Sequence, residues 1–262
     1  MNATRQHVVS SFTLIKGALL DETYAAFAEW DLARTQDQNL DRLRKTNWVG
    51  APSSNWLRDV AKVIHRRFDT HGRDRPLVIL AQRGCPREVW DPLWLWHATQ
   101  DEFLLADFLQ GWLYERHSEG ALRLRAEHLF EYLGSLPGRA EALTGTDSWS
   151  ESTTKRVASG LLKIGADVGL LRGAQVREFV PFRLPDPSFL YLLHAIAERE
   201  ANARRLLGAP DWRMFLMTPE DVEREVLRLH QYRLLHFQAA GSLAQLRLPA
   251  PSLDAFAQQM TW

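Results

Sequence analysis

The stretch from Trp149 to Phe182, WSESTTKRVASGLLKIGADVGLLRGAQVREFVPF, constrains the fold more than any other. Ser150 or Ser152 supplies a helix N-cap, Glu151 places a negative charge in the first turn, and Gly165 marks the expected end. Val157, Leu161 and Ile164 then fall on one face. Ser152, Lys155, Arg156, Ser159 and Lys163 recur on the opposite face, with no apolar or acidic residue among them. Val168 to Leu171 and Val176 to Val180 read as two short strands around Gly173-Ala174. A helix with a hydroxyl-and-cation face followed by a small hairpin is the layout of a winged helix-turn-helix. In that layout the helix enters a DNA groove and the hairpin touches the backbone. An ordinary amphipathic helix packed beside a hairpin fits the same residues.

The rest of the chain sets limits on that reading. With 262 residues there is material for one large domain or two small ones, and 45% hydrophobic with 24% charged residues is the balance of a globular protein. Net charge is zero, but the charges are unevenly spread. From Arg34 to Arg87 twelve Lys/Arg stand against five Asp/Glu, and from Glu88 to Glu151 four stand against twelve. Such separation gives a molecule one basic and one acidic side unless the blocks pair with each other. A single cysteine, Cys85, excludes an intrachain disulfide and a cysteine-built metal site. The first residues lack the pattern of a signal peptide. The most hydrophobic region, Trp90 to Tyr114, is interrupted by Asp91, Asp101, Glu102 and Asp107, so no membrane span and a cytoplasmic location are expected.

Periodicity gives a mainly α chain in two helical lobes, 1–75 and 76–262, divided at the polar, turn-rich segment Asp69 to Pro76. The second lobe is expected to hold a winged helix-turn-helix-like core, about 112–183, with a small β-hairpin. Helices are expected within 8–31, over Asp37 to Thr46, and from a Ser53 or Ser54 cap through Phe68. On the last of these, Arg58, Lys62, Arg66 and Arg67 form a second basic face. One or two buried aromatic helices occupy 88–116, an amphipathic helix with Leu122 and Leu129 inward spans 121–133, and a short helix covers 139–143. A helix from Ser188 to Leu207 follows, and another from the Thr218-Pro219-Glu220-Asp221 start to about Phe237, breaking at Gly241.

Catalytic signatures are missing. None of the five lysines follows a glycine, as a phosphate-binding loop requires, and none has an acid two residues before it, as common nuclease cores do. There is no G-x-S-x-G elbow. His230 and His236 lie too far apart on one expected helix to share a metal ion. Asp101, Glu102 and Asp107 read as a solvated helix edge. No catalytic residue, metal ligand or cofactor is assigned.

Three places carry a family resemblance. They are Ser11-Phe12-Thr13 with Gly17 and Leu19-Leu20; Asn47 followed by Pro52-Ser53-Ser54-Asn55-Trp56-Leu57-Arg58; and the Trp149 to Gly173 block, with Ser152-Thr153, Lys155-Arg156, Leu161-Leu162 and Gly169-Leu170-Leu171. Together with the aromatic helix Leu93 to Leu113, their order resembles the BrxA family, the small helical A component of bacterial BREX phage-defence systems. The resemblance implies a non-enzymatic protein in two helical lobes that binds double-stranded DNA with little sequence preference. It also implies partners: a methyltransferase, an ATPase and a phosphatase-like protein. The family offers no catalytic motif to transfer, so the DNA-contact residues come from the helix faces. Lys155, Arg156, Lys163 and Arg172 would neutralise phosphates, and Ser152, Thr153 and Ser159 would hydrogen-bond backbone or base edges. Arg58, Lys62 and Arg66 would add a second patch. A different class of function stays open: an adaptor that assembles defence partners without touching DNA, using tryptophans such as Trp48, Trp149, Trp212 and Trp262 as anchors.

Overall fold

Side-chain oxygens open many of the helices by taking up a backbone N–H that the first turn leaves without a partner. Ser53 accepts from Trp56 N at 3.2 Å and Ser150 from Thr153 N at 3.3 Å. Thr35 with Gln38 and Thr218 with Asp221 form reciprocal capping boxes. The computed structural model describes residues 8–136, 142–143, 148–241 and 243–262. The chain is mainly α-helical, with small two-stranded pairings.

The order begins with β1 (Val8–Val9), α1 (Ser11–Lys16), α2 (Leu20–Ala28), α3 (Gln36–Thr46), α4 (Ser54–Arg67), α5 (Arg75–Gln82) and α6 (Arg87–Thr99). One continuous rod follows: α7 (Phe103–Asp107), a π turn (Phe108–Leu113) and α8 (Tyr114–Ser118). A 3-10 turn (Ala126–Leu129) leads into α9 (Phe130–Gly134), then β2 (Ala142–Leu143), α10 (Glu151–Asp167), β3 (Leu171–Arg172) and β4 (Glu178–Phe179). The chain ends with α11 (Asp186–Ala197), α12 (Ala203–Leu207), a 3-10 turn (Pro210–Phe215), α13 (Pro219–Gln231), β5 (His236–Ala240), β6 (Leu243–Arg247) and α14 (Leu253–Gln259). β1 pairs in parallel with β2, while β3–β4 and β5–β6 are antiparallel.

An aromatic knot joins α2, α4 and α6. Phe27 meets Phe68 edge-on at 5.2 Å between ring centres, Tyr24 meets Trp90 at 5.1 Å, and buried Trp90 donates to Leu77 O at 3.2 Å. The cluster of buried apolar side chains is continuous from Val9 to Met260 and crosses the segment 69–76 expected as a boundary. Arg67 is fully buried. It donates to the carbonyls of Thr13, Gly17 and Ala18, each at 2.9 Å, and lies 3.7 Å from the equally buried Glu102. A buried charge needs such partners. Burial pushes the Glu102 carboxyl up, against the pull of Arg67 and Arg66.

Several expected elements differ. The first helix is split into α1 and α2 at Gly17–Leu19, where Gly17 (φ +82°) and Leu19 (φ +57°) both take positive φ. Gly165 does not end α10: the helix runs to Asp167, and the positive-φ turn comes at Gly169. The amphipathic helix expected over 121–133 is shorter, because residues 121–125 are not helical and Leu122 is 82% exposed. Of the helix expected at 139–143, residues 139–141 lie outside the described residues and Ala142–Leu143 is a strand. The helix expected from Ser188 to Leu207 breaks at Glu198–Asn202, where Asn202 caps α12. α13 stops at Gln231, and a hairpin not foreseen from the sequence, β5–β6, occupies the rest, with Gly241 (φ +58°) at its turn.

Candidate nucleic-acid interface

α10 is positioned by a buried arc of Val157, Ala158, Gly160, Leu161, Leu162, Ile164 and Gly165. One side of this arc packs on the 3-10 turn and α9, and another on α1. At the α1 contact Gly160 is obligatory, since a Cβ there would overlap the carbonyl oxygen of Leu14. The remaining arc faces outward, and Ser152, Lys155, Arg156, Ser159 and Lys163 are all exposed on it. Thr153 is half-buried at the cap.

The side chains on this face are not equivalent. Lys155 and Arg156 form no ion pair with a described residue. Lys163 is held at 2.6 Å by Asp167, a carboxylate that the longer helix brings one turn further along the same face. Ser159 donates to Lys155 O at 2.9 Å, and Ser152 lies 3.1 Å from the capping Ser150 hydroxyl.

Beside the helix the β3–β4 pair is tight, with Leu171 opposite Phe179 and Arg172 opposite Glu178. Gly173 (φ +97°) makes the turn, where a Cβ would strike Val176 O. A third backbone segment joins the ribbon: Leu124 and Arg177 exchange two N–H···O bonds of 2.8 Å. That pairing brings in cations that helical spacing could not reveal. Arg123 and Arg125 flank Leu124 and are exposed, and half-buried Arg177 donates to Gly173 O. Arg172 is exposed and bonded to Glu178 at 3.1 Å, while Arg123 reaches the same carboxylate at 3.7 Å. The signal in the sequence was the alternation Leu122-Arg123-Leu124-Arg125, which reads as a strand once it is not forced into a helix.

The second patch lies across α1. Lys16 on α1 meets Asp59 on α4 at 2.6 Å, and Arg67 of α4 clamps the carbonyls at the α1 C-terminus. Arg58 and Lys62 are exposed; Arg58 bonds Asn55 within its own helix. Arg66 is half-buried and committed inward, donating to Val8 O and lying 3.6 Å from Glu102.

Alternative chemistry finds little support in the geometry. Among the described residues no three His, Cys, Asp or Glu side chains come together as a metal site. Cys85 is buried, which pushes its thiol up to about 12. A cleft of about 460 Å³ lies between the segment after β4 and α13. Its acids Asp221 and Glu225 are paired with Arg224 and Arg228. Buried His97 lies 2.6 Å from Asp74 and 2.7 Å from the Tyr191 hydroxyl. All three are fully enclosed, an arrangement that ties α5, α6 and α11 together. Of the tryptophans proposed as partner anchors, Trp212 is buried and donates to Leu206 O, and half-buried Trp48 donates to Glu22 O. Trp149 is half-buried, and Trp262 is 45% exposed. Among the described residues no helix is long and apolar enough to cross a membrane.

No curated protein matches the chain. The sequence model of the BrxA family matches residues 11–195, which takes in α1 through most of α11 and so the whole of the α10–ribbon unit. On that match the chain belongs to the BrxA family and is a component of a BREX phage-defence system.

Proposed function

We propose that this chain is a non-enzymatic, cytoplasmic, double-stranded DNA-binding component of its BREX system, gripping phosphates with little preference for sequence. The observation that carries the reading is the outward arc of α10, where Lys155 and Arg156 stand without a described carboxylate partner beside a ribbon edged by Arg123, Arg125 and Arg172. The order of the α7–α8 rod, the Leu124 segment, α9, α10 and the β3–β4 hairpin supports a winged helix-turn-helix reading, as does the bridge from Leu124 to Arg177, just before β4. We read it so, with α10 as the groove helix and the ribbon as the wing. β2 stands between α9 and α10, where such motifs have a tight turn.

In this reading Lys155 and Arg156 are the primary phosphate contacts. Lys163 and Arg172 contribute after giving up Asp167 and Glu178. Ser152, Thr153 and Ser159 donate hydrogen bonds to backbone or base edges. Arg58 and Lys62 extend the contact beyond α1, whereas Arg66 stays with Val8 and Glu102. The methyltransferase, ATPase and phosphatase-like protein of the system are the proposed protein partners. An adaptor that holds those partners without DNA is the second reading; exposed Leu122 and Trp262 are the observations in its favour.

A gel-shift titration with a random-sequence duplex tests the proposal. Each phosphate neutralised adds close to one unit to the slope of log affinity against log salt. The variant carrying Lys155→Glu and Arg156→Glu is expected to bind about tenfold or more weakly and with a shallower slope. Unchanged binding would remove α10 from the interface. Wild-type chain that captures a BREX partner from nuclease-treated lysate, yet does not shift the duplex at physiological salt, would favour the adaptor.

A further inference from the structure

The β5–β6 hairpin lies beyond residue 195, where the family match stops, and it forms a further cationic feature at the end of α13. His236 and Arg247 are directly opposed across the two strands, so their side chains emerge on one face of the ribbon. Phe237, next along β5, turns to the other face and is buried. Gln238 and Gln245 share the outer face, and both are exposed.

Arg233 arrives from the helix side. The last carbonyls of α13 are satisfied by the backbone: Tyr232 N bonds Arg228 O at 3.2 Å, Arg233 N bonds His230 O at 2.9 Å and Leu234 N bonds Leu229 O at 3.0 Å. This is a helix stop in which glycine is the usual residue, but here Arg233 occupies the left-handed position with φ +60°. The strained non-glycine backbone points to a role for this side chain. His230 closes the base. Its Nδ1 accepts from Phe237 N at 3.3 Å, so in the neutral ring the proton sits on Nε2, which is left as a donor. The His236 ring stands edge-on to it at 5.2 Å.

These groups line a shallow cleft of about 400 Å³, completed by Leu234, Leu235, Leu248 and Pro249, and its lining contains no carboxylate. Arg233 and Arg247 are both exposed, and their guanidinium groups form no ion pair or hydrogen bond with a described residue. Most arginines near the C-terminal end are otherwise paired: Arg199 with Asp211, Arg204 with Glu223, Arg205 with Glu200 and Arg228 with Asp186.

The geometry points to a phosphate-binding site in this cleft. Arg233 and Arg247 would supply charge-assisted N–H donors, while His230 Nε2 and the His236 ring would add imidazole N–H donors. The phosphate belongs either to a small phosphorylated molecule or to a nucleic-acid backbone, and the site does not depend on the assignment of α10.

The test uses the full chain and two probes, inorganic pyrophosphate followed by calorimetry and a random-sequence duplex followed by gel shift. Three proteins are compared: wild type, a variant with Arg233→Gln and Arg247→Gln, and the variant with Lys155→Glu and Arg156→Glu. Losing two charged donors is expected to weaken binding of the relevant phosphate by about tenfold or more. The thermal melt should be unchanged, because neither arginine holds a described partner. Pyrophosphate binding in wild type that is lost in the Arg233/Arg247 variant establishes a site for small phosphates. Loss of duplex affinity in that variant, without pyrophosphate binding, establishes a backbone contact. A wild-type chain that ignores pyrophosphate, with a duplex affinity unaffected by the Arg233/Arg247 changes, overturns the site while leaving the α10 reading standing. Failure of wild type to bind duplex, with pyrophosphate binding intact and dependent on these arginines, does the reverse.

Discussion

Gly160 fixes how closely two helices approach. In isolation, Gly160→Ala should stabilise α10, since alanine is favoured over glycine in a helix interior by about 1 kcal/mol. The position is not isolated: the added methyl would occupy the space of Leu14 O, a backbone atom that can retreat only if α1 moves. Overpacking of this kind costs about 1–3 kcal/mol. The expected net result is a lower urea midpoint, with the slope of the transition unchanged. A midpoint at or above that of wild type would mean that α1 does not pack here. The neighbours Arg66 and Arg67 show how little single residues disclose. Both read as basic positions on one helix, yet Arg67 is swallowed because the carbonyls of Thr13, Gly17 and Ala18 need a donor, and only the fold of α1 creates that need.

At the scale of elements, what was legible had a local cause. Caps at Ser53, Ser150 and Thr218 are set by residues three apart, so α4, α10 and α13 begin where the sequence places them. Ends were less legible. Gly165 is glycine because Leu171 packs against it, with Cδ1 3.2 Å from where a Cβ would stand, and not because the helix stops. The Leu122–Arg125 segment and β5–β6 were misread because short strands are fixed by distant pairing partners, Arg177 in the first case and the facing strand in the second. The same cause hid Arg123, Arg125 and Arg177 from the expected interface. Pairing also sets the charge state of the ribbon, because Glu178 bonds both Arg172 and Arg123. Glu178→Gln should release both guanidinium groups towards phosphates and raise duplex affinity by about two- to tenfold at low salt, with a steeper salt slope. A decrease, measured in the same gel-shift titration, would place the ribbon away from DNA.

For the molecule as a whole, the C-terminal helix is a clasp. α14 packs on both α5 and α11, and Asp254 pairs with Arg75, so this last helix is seated on one element from the first third of the chain and one from the last third. Phe256 stacks on the His194 ring, with centres 4.3 Å apart. The hydrogen bonds around that ring suit only its neutral form. Nδ1–H donates to Leu190 O at 2.8 Å, while the Nε2 lone pair accepts from Ala250 N–H at 3.3 Å. Burial holds the imidazole below its ordinary value of 6.5. Because the released form binds a proton more readily than the seated one, the clasp is at full strength above pH 6.5 and weakens as the pH falls through the depressed value. Hydrogen exchange across residues 250–259, corrected for intrinsic rates, should therefore show less protection at pH 5.5 than at pH 7.5. The buried helix α6 serves as the reference, although its own His97, also held low by burial, will contribute in the same direction when the whole chain opens. The expected signature is thus a loss of protection that begins at α14 before it reaches α6. Equal protection of residues 250–259 at the two pH values, or simultaneous loss in both helices, would show that His194 does not govern the seating of the C-terminal segment.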